Sequence, residues 1–184
     1  AYLLGANAIR GGSDFFADVI DAQHWRWRDV GFSIELPTPA LRGPIQLRNA
    51  ASAIAALRTL DKPLSRAAIT EGVASARIRG RLQAVQRNGV DVLVDVGHNP
   101  QAARELAAAL KAAPVAGRTR AVFAALQDKD AAGVAEALGG QVDAWHLAGL
   151  DGARAQSAQA LQARLQDTAA ADACQHATGA DALE

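Results

Sequence analysis

Along the first third of the chain, apolar and polar positions alternate. Trp25 and Trp27 alternate with His24, Arg26 and Arg28, and Phe32, Ile34 and Leu36 alternate with Gly31, Ser33 and Glu35. A period of two marks a strand with one face buried. Asp29-Val30-Gly31 supplies a turn, so the two runs predict a hairpin, and a further strand begins within Asp14–Val19. On this reading residues 1–36 are mainly strands and His24 is a strand-surface residue. Pro37, Pro39 and Gly43-Pro44 then make an irregular crossing. The period next becomes helical: an alanine-rich helix is expected from about Asn49 to Leu60, with Ile54 and Leu57 on its buried stripe and Asp61-Lys62-Pro63 as its stop. Ser65 caps a second helix whose inner face is Ile69 and Val73. That helix runs out in the basic, glycine-broken segment Arg77-Ile78-Arg79-Gly80-Arg81, where a domain boundary is placed between residues 80 and 81.

Beyond Arg81 the pattern becomes regular. Leu82–Gln86 and Val90–Val96 flank Arg87-Asn88-Gly89, and Asn-Gly between apolar runs signals a hairpin. Helix 101–113 (Leu106 and Leu110 inward), strand 120–126, helix 130–138 (Val134 and Leu138 inward, closed by Gly139-Gly140) and strand 142–147 follow. Helix 157–166, capped by Ser157 with Leu161 and Leu165 inward, and a short strand near Cys174–Ala177 complete the series. Strands alternating with helices of this length imply an α/β fold whose parallel sheet is covered on both faces. The most strongly specified local feature is Asp95-Val96-Gly97-His98-Asn99-Pro100. Asn99 suits a helix cap and Pro100 the first helical position, where a missing N–H costs nothing. An acid, a glycine and a histidine therefore occupy a strand-to-helix turn, and ligands of open α/β sheets bind at the carboxyl ends of strands.

The 184 residues are half apolar with a formal net charge of zero. The chain can bury a core, and nothing in its charge supports a nucleic-acid partner. Cys174 is the single cysteine, so neither an internal disulfide nor a thiolate metal site is available, and a reducing cytoplasmic setting fits. No apolar run approaches the ~20 residues of a membrane helix, and no start reads as a signal peptide. The chain contains no methionine and reads as part of a longer protein. There is no GxxxxGK[ST] loop, GxGxxG fingerprint or GxSxG elbow. His24, His98, His146 and His176 lie far apart along the chain, with no metal-ligand spacing among them.

Four places remain as candidate chemistry. Asn49 either caps its small-residue helix or contacts a planar ligand such as adenine. Arg81, beside a flexible glycine, is suited to phosphate, where its fork bonds two oxygens at once; the plainer alternative is a solvated hinge charge. Asp95 and His98 either belong to a plain capped βα connection or face one crevice, where the carboxylate could accept from ribose hydroxyls. Asp128-Lys129-Asp130 follows the next strand and, taken alone, reads as a helix-entry charge cluster.

Taken together, Leu47-Arg48-Asn49-Ala50-Ala51-Ser52-Ala53, Arg79-Gly80-Arg81-Leu82-Gln83, Asp95-Val96-Gly97-His98-Asn99-Pro100 and Asp128-Lys129-Asp130 resemble a known set. They match, in order and spacing from Asn49 to Ser157, the folylpolyglutamate synthase/dihydrofolate synthase branch of the Mur ligase superfamily. That family carries an asparagine before an alanine-rich helix, a "PGR" hinge, a "DxAHNP" turn and a "DKD" after the following strand. The resemblance implies that residues 1–80 are the C-terminal part of a central ATPase domain, strands plus two helices. Residues 81–184 would be a Rossmann-like C-terminal domain with a mainly parallel sheet, lacking its last strand.

It further implies an ATP-dependent amide ligase of folate biosynthesis and one-carbon metabolism. ATP would phosphorylate a dihydropteroate or folate carboxyl, and the amine of L-glutamate would attack the acyl phosphate within closing domains that exclude water. In family terms Asn49 meets adenine, Arg81 the phosphates, Asp95 the ribose, and His98 lies near the incoming glutamate. Arg79 replaces the family's usual proline, and Gly97 stands where alanine is common. The phosphate loop, the Mg2+ ligands and the modified lysine would all lie upstream of Ala1, so these residues alone are expected to be inactive. The expected partners are small molecules, with no nucleic acid or membrane, in a cytoplasmic monomer. Two alternatives stand beside this: another Mur-type ligase adding an amino acid to a UDP-MurNAc precursor, and a stand-alone α/β binding domain.

Overall fold

The computed structural model describes residues 5, 7–41 and 43–184; residues 1–4 and 6 of the expected strand region lie outside them. The chain forms two compact units, Ala1–Val94 and Asp95–Glu184.

In the first unit, β1 (Phe16–Val19), β2 (His24–Arg28) and β3 (Ser33–Pro37) form an antiparallel sheet in that order. Trp25 faces Leu36 and Trp27 faces Ile34 across the β2–β3 pair, and all four are buried, as their alternation requires. They pack on Ala51, Ile54 and Ala55 of α1 (Pro44–Leu57) and on Ile69 and Val73 of α2 (Arg66–Ser75). Burying an indole leaves its N–H to be paired. Trp25 Nε1 donates to the Pro37 carbonyl at 2.9 Å and Trp27 Nε1 to the Ala51 carbonyl at 3.0 Å. The outer face carries the ion pairs Arg26–Glu35 and Arg28–Asp18, and His24 lies there bonded to Asp21.

α1 begins five residues before the expected Asn49. Gly43, with φ 100°, precedes Pro44 in the first turn, a position where proline's fixed φ and missing N–H suit the helix start. Asn49 therefore caps nothing. It lies exposed within the helix, its Nδ2 donating to Gln46 Oε1 at 3.1 Å. The helix also stops at Leu57, which is 41% exposed rather than inward. α2 follows expectation: Ser65 Oγ accepts from the Ala68 amide, with Ile69 and Val73 buried.

β4 (Gln83–Arg87) and β5 (Val90–Val94) form the expected hairpin. Asn88 (φ 50°) and Gly89 (φ 78°) are both left-handed, as a two-residue I′ turn requires. This hairpin is a two-stranded sheet. The local turn and ladder pair β5 with β4, so the turn after β5 follows a hairpin strand.

The second unit holds α3 (Pro100–Ala112), β6 (Arg120–Phe123), α4 (Ala131–Leu138), β7 (Ala144–Ala148), α5 (Ala158–Ala163) and β8 (Cys174–His176). Its three strands are parallel in the order β6-β7-β8. Strands laid side by side in chain order through right-handed crossovers carry their helices on one face. Trp145, Leu147, Val134, Leu138, Leu161 and Leu165 accordingly form one core, with Leu106 and Leu110 of α3 against it. The opposite strand face bears Val122 and Cys174, both exposed. The helices of the second unit thus cover the face that bears Trp145 and Leu147.

Candidate functional site

Local chemistry builds the turn after β5. Asn99 is extended (φ −139°, ψ 160°) and its Oδ1 accepts from the Ala102 amide at 2.9 Å, capping α3, which Pro100 opens. Asn99→Ala should lower stability by about 1 kcal/mol, measured as a shift in the denaturation midpoint. Asp95, half-buried, accepts from the Gly97 amide at 2.6 Å. A Cβ on Gly97 would stand 2.8 Å from Asp95 Oδ1 and 2.9 Å from Ala102 Cβ, so glycine permits this close turn. His98 is exposed, with Nδ1 3.2 Å from the Val96 carbonyl. A carbonyl only accepts, so this contact is a hydrogen bond when Nδ1 carries the proton.

Arg81 lies in a kink. Gly80 (φ 68°) and Leu82 (φ 43°) are both left-handed, and the Gly80 amide donates to Gln83 Oε1 at 3.0 Å. Leu82 is buried, and its Cδ1 lies 2.9 Å from where a Gly43 Cβ would stand. The kink is therefore seated on the start of α1, and Arg81 is exposed between two anchored neighbours. Asn49 and Arg81 belong to the first unit, Asp95 and His98 to the second.

After β6, Asp130 caps α4, its Oδ1 accepting from the Gly133 amide at 3.0 Å. Asp128 does something else. Its Oδ2 lies 3.3 Å from both Lys129 Nζ and Arg154 Nη1. The hydrogen bond from Lys129, aided by the nearby charges, holds the Asp128 carboxyl below its ordinary 3.8. A depressed carboxylate contributes while ionised and loses its contribution as pH falls through the folded value. As pH falls, the pair should therefore open only below 3.8. The Asp128 carboxyl carbon shift, followed by NMR, checks this, and a midpoint above 3.8 would contradict it.

Arg154 carries no local signal in the sequence; the loop after β7 delivers it from 26 residues away. A second association also eluded spacing. His146 Nδ1 and His176 Nε2 lie 3.0 Å apart on neighbouring strands, although the histidines are distant in the chain. Among the described residues no group of three or more His, Cys, Asp or Glu is arranged to hold a metal ion.

Residues 80–184, from the kink through the capped turn to the chain's end, match the family model described as Mur ligase, glutamate ligase domain. The chain belongs to this family. A similar curated relative is the dihydrofolate synthase/folylpolyglutamate synthase of Escherichia coli K12, 40% identical over 158 residues, which are 85% of this chain and 36% of that protein. The enzyme of the same name from Haemophilus influenzae is 34% identical over 79% of this chain and 37% of its own length. The chain thus spans about a third of the length of these relatives. Among solved structures, a bifunctional folylpolyglutamate synthase/dihydrofolate synthase with Mn, AMPPNP and L-glutamate bound superposes with a TM-score of 0.81. It is 34% identical and covers 99% of this chain and 42% of its own.

Proposed function

We propose that this chain is the C-terminal part of an ATP-dependent ligase that joins L-glutamate to dihydropteroate or a folate. What carries the reading is the capped Asp95–Pro100 turn lying within a matched glutamate ligase domain. ATP with a divalent metal supplies the activation, turning the acceptor carboxylate into an acyl phosphate; the metal ligands are assigned to the part of the protein that precedes this chain. Asn49 is assigned to the adenine, Arg81 to the phosphates and Asp95 to the ribose. His98 is assigned to take the proton from the glutamate amine as that amine attacks. A functional boundary at residues 80/81 fits this division of labour, since the anchored kink lies there. No helix among the described residues is long and apolar enough to cross a membrane, and we assign the protein to the cytoplasm as a monomer.

The test is ADP release by the full-length protein that carries this chain, with ATP, Mg2+, L-glutamate and dihydropteroate or folate. Release should require both the glutamate and the pterin acid, with the product heavier by one glutamate residue. Release supported instead by a UDP-MurNAc precursor would reassign the chain to another Mur-type ligase. The 184 residues by themselves should show no turnover, because they contain no phosphate loop.

A further inference from the structure

One buried glutamine ties the loop after β6 to the loop after β7. Gln156 is 8% exposed, and both ends of its amide are used. Nε2 donates to the Ala125 carbonyl at 2.7 Å and Oε1 accepts from Arg164 Nη1 at 3.2 Å. Its backbone carbonyl accepts from the Leu150 amide at 3.1 Å, closing the second loop on itself. Arg164, at the end of α5, donates through Nη2 to the Lys129 carbonyl. Bonds from Ala125 through Gln156 and Arg164 to Lys129 therefore encircle the segment that carries Asp128. Gln127 adds two more ties, its amide to the Arg154 carbonyl at 3.0 Å and its Nε2 to the Ala155 carbonyl at 2.6 Å.

An apolar side chain of the same size would fill the Gln156 site without the cost of burying an amide. What the amide adds is a defined distance between two loops. Each loop delivers one cation, Lys129 from the first and Arg154 from the second, and both converge on Asp128 Oδ2. With Arg164 bonded to the Lys129 carbonyl, three cations stand with Asp128 and Asp130 at the carboxyl end of β6, where ligands of such sheets bind, and a dicarboxylate amino acid is attracted to the cations.

We propose that Gln156 and Arg164 are positioning residues for the amino-acid substrate. Touching no reactant, they set the spacing of Lys129 and Arg154 and thereby the seat for its carboxylate. This rests on the ligase reading above. In the full-length protein, Gln156→Met should raise KM for L-glutamate about tenfold, the scale expected of a small misplacement. KM for ATP and kcat should stay within about twofold. Arg164→Lys, which can still reach one of the two acceptors, should show a smaller rise than Arg164→Met. Hydrogen exchange supplies a readout independent of turnover: the Gln127 and Lys129 amides should exchange faster in Gln156→Met while the α4 amides do not. Unchanged exchange at those two amides overturns the proposal, as does an equal rise in both KM values. A wild-type protein that ligates no glutamate overturns the ligase reading instead, and the exchange result then still decides whether Gln156 fixes the loop.

Discussion

Arg81→Ala in the full-length protein should reduce kcat/KM by about 10²–10³-fold, the scale of removing one donor from developing negative charge, with the melting temperature unchanged. The reason lies in how the kink is held. Gly80 bonds to Gln83 and Leu82 packs at Gly43, so the backbone keeps its course without the guanidinium, which is exposed. A large kinetic effect with a small thermal one is what a phosphate ligand produces. Arg81→Lys should recover only part of the loss, because an ammonium offers a point charge where guanidinium offers two parallel donors. Steady-state kinetics beside a thermal melt decide the matter. Full activity in Arg81→Ala would leave the solvated hinge charge as the correct reading, and a parallel fall in activity and stability would make the residue structural.

The largest effect on stability is expected from Trp27. Its ring is 1% exposed, stacked on Phe15 with centroids 5.9 Å apart and tilted against Phe32 at 6.1 Å. The Arg58 guanidinium lies 5.4 Å from its centre, and Nε1 satisfies the Ala51 carbonyl of α1. Trp27→Ala should destabilise the protein by about 3–5 kcal/mol, from lost burial and the cavity left behind. The Ala51 carbonyl, deprived of its donor, adds to that cost. Trp27→Phe keeps a ring but not the donor and should cost about 1–2 kcal/mol. Chemical denaturation of both variants separates the two contributions. A loss under about 1 kcal/mol in Trp27→Ala would mean that the sheet is not held to α1 through this residue.

Much of the local structure was legible because its causes are neighbours in the chain. The alternation of Trp25 and Trp27 with charged residues announced β2 and its buried face. Asn88-Gly89 announced a turn that only two left-handed residues can make. Ser65, Asn99 and Ser157 each cap the helix they precede, accepting from the amide three residues on. The family pattern was legible for the same reason, its motifs being short runs in fixed order.

The misreadings share a cause as well. Asn49 looked like a cap because asparagine before small residues usually is one, yet Gly43 and Pro44 start α1 earlier and Gln46 takes its amide. The period of the strands could not tell which face of the β6-β7-β8 sheet the helices of the second unit would cover.

The sequence by itself determined the elements, their caps and turns, the two tryptophans of the first core and the residues through which the family is recognised. Each of those depends on chemistry within a few positions. Only the tertiary structure decided that Arg154 would meet Asp128, that His146 would touch His176, and that Gln156 would join two loops. Those partners are 26, 30 and 31 residues apart. Parallel strands bring such residues together through crossovers whose length is free to vary, so the contact leaves no fixed spacing for a sequence pattern to record.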